Sequence, residues 1–385
     1  MRNRGLLLIA LLMCGCGNGN GHSGSASTIR VRPGDSIQAA INTAPENATI
    51  MVEPGIYHES ADQPSAVVIS KNGIQLVGLS TPDEPVVLEN AGGQMNGIWV
   101  SPADSLNPMD PEAPPCGENG ELLNGFLLQG FTVRGFDQYG VYLACVDGFT
   151  LTQNLSDANT VYGLFPVRSH NGELSDNEAQ NTTLDSALYV GQSDHVMITN
   201  NRSHDNVQGL EIENSSDITA MQNELFDNTA AIIADIMPGL QKTDQTNVMI
   251  AENNVHDNNR PNTEAPGGPT ADTPQGTGIV LLGGTMVTVQ NNMVANNGFQ
   301  GIIVTSYCTG LSVPCTGLDI DPNPENDQVI NNQLINNGND ESDPVLSHFA
   351  ADLFWDGTGQ GNCWSGNSPS AKIVVLGGNS LPECE

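Results

Sequence analysis

Residues 187–239, ALYVGQSDHVMITNNRSHDNVQGLEIENSSDITAMQNELFDNTAAIIADIMPG, repeat one short pattern more than twice: a small residue, a β-type run, a polar turn, a second β-type run, then Asn, a few polar residues and Asn again. The Gly or Ala that opens each copy falls at Gly97, Gly140, Gly163, Ala187, Gly209, Ala231, Gly278 and Gly301, with spacings of 23, 24, 22 and 22 residues from Gly140 to Ala231. A second phase of the same period runs through Asn154, Asn177, Asn201, Asn223, Asn253, Asn292 and Asn332, each at the end of a first β-type run. Two phases that agree on one period mark a repeat architecture, in which a unit buries its apolar side only by stacking on its neighbours.

Short β-type runs at this period predict an all-β chain folded as a single-stranded right-handed parallel β-helix of about 22–24 residues per coil. Asn at a repeated corner suits a turn near the left-handed region, and stacked amides can bond to one another along the axis. Three Pro- and Gly-rich insertions, 102–123, 259–277 and 307–327, read as loops. The first two are expected to lead into a third strand and the last to leave one, around one face. The tail after Asn337 is less regular, with Trp355, Trp364 and a strand-like KIVVLGG, and reads as a C-terminal cap. The expected organisation is a signal segment over 1–16, a tether over 17–27, an N-terminal cap over 28–60, the helix proper over 61–338 and the C-terminal cap over 339–385.

The phrases VRPGDSIQAAI and VEPGIY within residues 28–60 resemble the opening of the pectate-lyase-like superfamily, which implies a short amphipathic helix plugging the open end of the stacked core. Ile37, Ala40 and Ile41 recur at helical spacing behind Asp35 and Ser36, either of which can cap such a helix. LYVGQSDHVMITNNRSHDN and GLEIENSSD resemble bacterial secreted or lipoprotein parallel β-helix repeat-containing proteins. That resemblance implies architecture and export, and brings no catalytic residues with it. The glycosidase motifs of the polygalacturonase branch do not occur in the chain.

The net charge of −33, from 11 basic and 44 acidic residues, argues against nucleic acid, whose binding rests on Lys and Arg neutralising phosphates. Polyanionic sugars would also be repelled unless a divalent cation or a local Arg intervenes. At the N-terminus, Arg2 and Arg4 precede an apolar run from Leu6 to Met13 and then Cys14-Gly15-Cys16, which reads as an export signal. Gly15 before Cys16 resembles a bacterial lipobox and makes Cys16 the expected lipid acceptor, the alternative being signal cleavage a little further on. The membrane is then met only through the lipid anchor, at the outer membrane or facing the periplasm, or the protein is secreted. Cys116, Cys145, Cys308, Cys315, Cys363 and Cys384 remain, an even set that suggests disulfides, with Cys308–Cys315 the first expected.

Alternation along the third strand turns Ile98, Val141, Leu164, Leu188, Leu210, Ile232, Ile279 and Ile302 inward. The outward column then reads Trp99, Tyr142, Phe165, Tyr189, Glu211, Ile233, Val280 and Ile303, and the next one includes Gly191, Glu213 and Asp235. Coils stack about 4.8 Å apart, so Glu211, Glu213 and Asp235 are expected to converge, with Arg168 and Gln192 at nearby strand ends. Three readings compete: a Ca²⁺ site made of Glu211, Glu213 and Asp235; an inverting glycosidase pair, Glu211 and Glu213, about 6.5–9.5 Å apart; and a plain face, exposed or covered by the 259–277 loop. A lyase would need a base near the sugar C5, for which Arg168 is the first candidate and Tyr189 the second. Trp99, Tyr142, Phe165, Tyr189 and Gln192 are the candidate contacts to a sugar chain, whose apolar faces stack on rings. Taken together these features point to binding, and lyase- or hydrolase-type processing, of an extracellular polysaccharide or oligosaccharide; the alternative is a non-catalytic scaffold with a cell-surface protein partner.

Overall fold

Each coil gives one strand to each of three parallel sheets, of 12, 11 and 10 strands, so that neighbours within a sheet belong to successive coils. The computed structural model describes residues 27–102, 116, 120–268, 270–339, 346–368, 372–378 and 380–385. One coil illustrates the pattern: Val146–Thr152, Leu155–Asp157 and Tyr162–Val167 pair in parallel with His170–Ser175, Glu178–Gln180 and Ser186–Gly191 of the next. The inward ladder from Ile98 to Ile302 is fully buried in one continuous core. Small residues open the third strands because the next coil lies against them: a Cβ on Gly140 would stand 2.6 Å from the Gly163 carbonyl oxygen.

The Asn corners run as a buried amide ladder. Asn154, Asn177, Asn201, Asn223, Asn253, Asn292 and Asn332 each pass a side-chain N–H to the amide oxygen of the next, at 2.9–3.0 Å. The left-handed conformation sits one residue earlier than expected, on Gln153, Asp176, Asn200, Gln222, Glu252, Asn291 and Asn331. The turn residue aims the following Asn inward, where its oxygen also accepts a backbone N–H of the preceding coil, as Asn223 does from Asn201. A second ladder occupies the next corner through Asn206, Asn228, Asn258, Asn297 and Asn337. Replacing Asn223 by Ala takes the partner from the Asn201 backbone N–H, from one Asn201 side-chain N–H and from the Ile198 carbonyl. We expect that substitution to destabilise the fold by on the order of 3 kcal/mol in urea unfolding, since each orphaned buried group costs about 1–3 kcal/mol.

At the N-terminal end the helix Ile37–Thr43 buries Ile37 and Ile41 on the first coil, and Ser36 rather than Asp35 is its cap, accepting from Ala39 N at 3.0 Å. The strands Thr28–Val31, Thr49–Val52 and Gly55–Tyr57 are already members of the sheets, so cap and first coil are one unit. At the other end the ladders continue past 338, through Ala351–Trp355, Cys363–Ser365 and Ile373–Val375. That coil lacks the periodic signal because Asp352 stands where Gly or Ala opens the others; its carboxylate accepts from Asn337 and ends the second amide ladder.

The insertions surround the third sheet, with one correction. The first leaves a third strand, Asn96–Val100, and enters a first-sheet strand, Leu123–Gln129, instead of leading into a third one. Most of it, 103–115 and 117–119, lies outside the described residues, as do 1–26 with the expected signal and Cys16. Cys308–Cys315 is formed as expected, and Cys116–Cys145 and Cys363–Cys384 complete the set. Among the described residues no helix is long and apolar enough to cross a membrane.

Candidate functional site

Three consecutive third strands carry the site: Ser186–Gly191, Gln208–Glu213 and Ala230–Asp235. Their register places Tyr189 beside Glu211 and Ile233, and Gly191 beside Glu213 and Asp235. One carboxylate oxygen from each of Glu211, Glu213 and Asp235 lies within 4.8 Å of the others. Oxygens that share one Ca²⁺ at about 2.4 Å stand no further apart than about 4.8 Å, so the three fit a single hard cation. An inverting glycosidase pair stands roughly 6.5–9.5 Å apart to leave room for its water, a wider spacing than oxygens sharing one cation need.

Two of the three are buried to an extent that carboxyl groups tolerate only when paired, coordinated or protonated: Glu211 is 8% exposed and Asp235 4%, with Glu213 half-buried beside them. Asp235 Oδ1 has no hydrogen-bond partner among the described residues. A fourth acid that the column count missed, Asp185, is 5% exposed and accepts from the Tyr162 hydroxyl at 3.0 Å. Ser186 Oγ lies 3.2 Å from Asp185, 2.9 Å from Gln208 Oε1 and 2.6 Å from Glu211. Ser186 has one hydroxyl proton for these three acceptors and satisfies one of them at a time. Burial raises Glu211 and Asp235 well above the usual carboxylate range, reinforced by their mutual proximity and by Asp185 and Glu213. Burial likewise pushes Asp185 up to about 7, against the hydrogen bonds from Tyr162 and Ser186. Glu213 is raised by burial and held back by the hydrogen bond from Tyr189.

That hydrogen bond, Tyr189 Oη to Glu213 Oε1 at 2.5 Å, depends on Gly191. The Tyr189 ring folds over Gly191 to reach the next coil, and any Cβ there would collide with the ring. Tyr189 itself is 5% exposed, and burial raises its hydroxyl well above 10.

The rest of the outward column differs from the open stacking surface read in the sequence. Trp99 and Phe165 are buried, Tyr142 and Tyr162 half-buried, and the rings pack on one another: Trp99 on Tyr142 with centroids 3.9 Å apart, Phe165 edge-on to Tyr189 at 4.6 Å. Aromatic side chains one coil apart are within stacking distance by construction of the ladder, and Cys116 and Leu122 of the first insertion pack on them from outside. Trp99, Tyr142 and Phe165 therefore form a second, small apolar layer that supports Tyr189.

Two segments wall the carboxylates. The 259–277 insertion reaches back over two coils, where Thr270 Oγ1 donates to the Leu184 carbonyl next to Asp185. On the opposite side, residues 236–245 form a connection that the sequence reading passed over. Asn214 fixes it by accepting from Met237 N at 2.6 Å and donating to the Met237 and Lys242 carbonyls. Gln241 N then donates to Gln192 Oε1 at 3.2 Å. Arg168 does not join the carboxylates as an ion-pair partner: its Nε is buried without an acceptor, and no carboxylate among the described residues pairs with it.

Fold and site together define a right-handed parallel β-helix with a walled carboxylate cage on its third sheet. Residues 139–315 match the family model described as "Right handed beta helix region". No curated protein matches the sequence. Among solved structures the chain is similar to the A-module of mannuronan C-5 epimerase AlgE4 from Azotobacter vinelandii, at 16% identity over 89% of this chain and 84% of that one, with a TM-score of 0.62. It is also similar to DFA-IIIase from Arthrobacter chlorophenolicus A6, at 14% identity over 87% and 76% with a TM-score of 0.54. The Dettilon tailspike protein matches at 12% identity over 91% and 60%, with a TM-score of 0.51. At such identities the likeness establishes the fold.

Proposed function

We propose that this chain is an exported, lipid-anchored β-helix protein that binds and processes an extracellular acidic polysaccharide, by lyase-type chemistry at a Ca²⁺-dependent site. The observation that carries the reading is the cage: three carboxyl groups within 4.8 Å, two of them buried, one of these with an oxygen that nothing among the described residues satisfies. Glu211, Glu213 and Asp235 would hold the ion, with Asp235 Oδ1 as the donor that has no other use. When bound, a hard dication there supplies a positive centre that offsets the repulsion between an acidic chain and an acidic sugar and polarises the oxygen it touches.

The protein's own groups suit proton handling. Tyr189 Oη takes the proton from the sugar C5 while its own proton passes along the 2.5 Å contact to Glu213. The C5–H bond and the C4–O bond break, a C4–C5 double bond forms, and the proton taken from C5, held transiently at Glu213 Oε1, is passed on to the leaving oxygen, so no further proton is needed. Arg168, the other candidate base, makes no ion pair with the carboxylates and takes no part in this step. Export is supported by the pairing of all six cysteines in disulfides, bonds that persist in oxidising compartments. The likeness to a mannuronan C-5 epimerase supports a polysaccharide as the ligand class.

The test is a panel of polysaccharides with and without Ca²⁺, following both the absorbance of unsaturated products and the release of reducing ends, on wild type and Glu213→Gln. We expect unsaturated product only with Ca²⁺ and a loss of about 100-fold or more in the variant, the scale on which removal of a proton-transfer group acts. Absence of both turnover and binding on every glycan would instead favour a scaffold at the cell surface.

A further inference from the structure

The corner that follows the third strands carries Cys145, Arg168, Gln192 and Asn214 in successive coils, all in the left-handed conformation with φ between 42° and 58°. That geometry is unfavourable for side chains larger than glycine, and here every one of them has a visible use except Arg168. Cys145 is tied to Cys116, Gln192 Oε1 accepts from Gln241 N, and Asn214 pins the 236–245 connection. Between this corner and that connection lies a pocket of about 420 Å³ whose walls include Arg168, His170, Gln192, Lys242, Thr243 and Asp244.

Charge makes this pocket unlike the rest of the molecule. With 44 acidic residues against 11 basic ones, a cation on this chain has carboxylates everywhere to choose from. The other described arginines use them: Arg30 and Arg32 pair with Glu53, Arg134 with Glu89, Arg202 with Glu178 and Glu224, Arg260 with Asp205. Arg168 pairs with none, and its buried Nε has no acceptor. Its backbone is fixed by donation from its own N–H to the Gly191 carbonyl at 2.9 Å, so the guanidinium is presented from a rigid corner. Lys242 reaches the pocket paired with Asp244 at 2.9 Å and the His170 ring is bonded to Asp194 at 2.8 Å, so the unpaired cation there is Arg168. Gln192, its oxygen already engaged, has amide N–H groups left to donate. An orphaned guanidinium, an amide donor and a lysine around one cavity are the donor set for a planar or tetrahedral oxyanion.

We infer that this pocket is an anion subsite that holds the carboxylate or sulfate of a sugar unit outside the reacting one, with Arg168 as its principal contact. Corner and cage are adjacent, since Gln192 follows Gly191 and Gly191 pairs with Glu213. A chain lying across the third sheet therefore meets the carboxylate cage with one unit and the basic pocket with a neighbouring one. The inference rests on the polysaccharide reading, and it explains how so acidic a protein discriminates in favour of a polyanion and sets its register. The subsite selects substrate by charge; the reacting unit is handled elsewhere.

The experiment measures the affinity of wild type, Arg168→Gln, Arg168→Lys and Lys242→Gln for three probes: a mannuronate tetramer, its carboxyl-reduced counterpart, and a sulfated galactan tetramer, all with Ca²⁺ present. Ca²⁺ uptake is read in parallel by calorimetry. Wild type is expected to bind the acidic tetramers and to bind the reduced one about 30-fold or more weakly; the stronger of the two acidic probes identifies carboxylate or sulfate as the anion. Arg168→Gln is expected to erase that preference, Lys242→Gln to reduce it several-fold and Arg168→Lys to restore part of it, while Ca²⁺ uptake stays at the wild-type level in all three. Equal affinity for acidic and reduced tetramers, or an unchanged preference in Arg168→Gln, overturns the subsite and leaves the polysaccharide reading standing. Failure of wild type to bind any tetramer overturns both. Should Arg168→Gln not fold, the Lys242→Gln and Arg168→Lys results decide in its place.

Discussion

Replacing Asp235 by Asn is expected to weaken Ca²⁺ binding by about 100-fold or more while making the cation-free protein more stable. The two effects have one cause. Asp235 is buried at 4% exposure, its Oδ1 accepts no hydrogen bond, and its carboxyl lies within 4.8 Å of Glu211 and Glu213 oxygens. Without an ion it is a burden on the fold, desolvated and crowded by acids. Asn has the same shape without the charge, so it relieves the crowding, yet it removes one of three anionic ligands from a cation that binds by charge as much as by geometry. In wild type, Ca²⁺ at about 100 times its dissociation constant should stabilise by about 2.7 kcal/mol, visible as a rise in the unfolding midpoint. In Asp235→Asn the chelator-treated midpoint should rise and the Ca²⁺-induced increment should vanish. Calorimetric titration combined with thermal unfolding in chelator and in Ca²⁺ checks both signs. Full uptake by the variant, or none by wild type at millimolar Ca²⁺, would remove the cage from the account.

How far the sequence could be read follows from which contacts the repeat itself dictates. The alternation after each Gly or Ala gave the inward ladder and the register that sets Tyr189 beside Glu211 and Glu213 beside Asp235, because a parallel coil pairs equivalent positions of successive repeats. The column before the small residue also faces outward, with Tyr139, Tyr162, Ser186 and Gln208 in register where coils succeed one another. Counting it would have found Tyr162, Ser186 and Gln208, and drawn attention to Asp185 beside them. What the repeat does not encode is what lies over it. The covering of the aromatic column, the folding of residues 236–245 against Asn214 and the disulfide from Cys145 to Cys116 all depend on segments without period. Hence Trp99 and Phe165 read as a sugar platform and are instead interior. Arg168 shows the opposite case: the register places it at a strand end near the acids, and only the structure shows that it pairs with none of them.

The second large effect is a loss of stability with rising pH in the cation-free protein. Asp185, Glu211, Glu213 and Asp235 all have their protonated forms favoured by the fold, chiefly through burial. A carboxyl raised in the folded state contributes stability that is complete below its unfolded value, near 4, and is lost as pH climbs through its folded value. At Asp185 the move from 3.8 to about 7 corresponds to on the order of 4 kcal/mol surrendered across that interval. Other acids act in the reverse direction: Glu89, Asp194 and Asp356 are lowered, so the whole-protein curve mixes both signs. The difference between wild type and Asp185→Asn isolates the cluster. In chelator, from pH 4.5 to 8, the urea midpoint of wild type should fall relative to that of Asp185→Asn; parallel curves would show that the cluster is solvated or already neutralised by another partner. Adding Ca²⁺ should invert the trend, because ion and protons compete for the same oxygens: the cation must displace the protons that burial favours on Glu211, Glu213 and Asp235, and that displacement becomes easier as pH rises. The cage and the proton store are thus two states of one set of carboxyl groups, and the site's readiness for an acidic sugar is set by which of the two cations, H⁺ or Ca²⁺, occupies it.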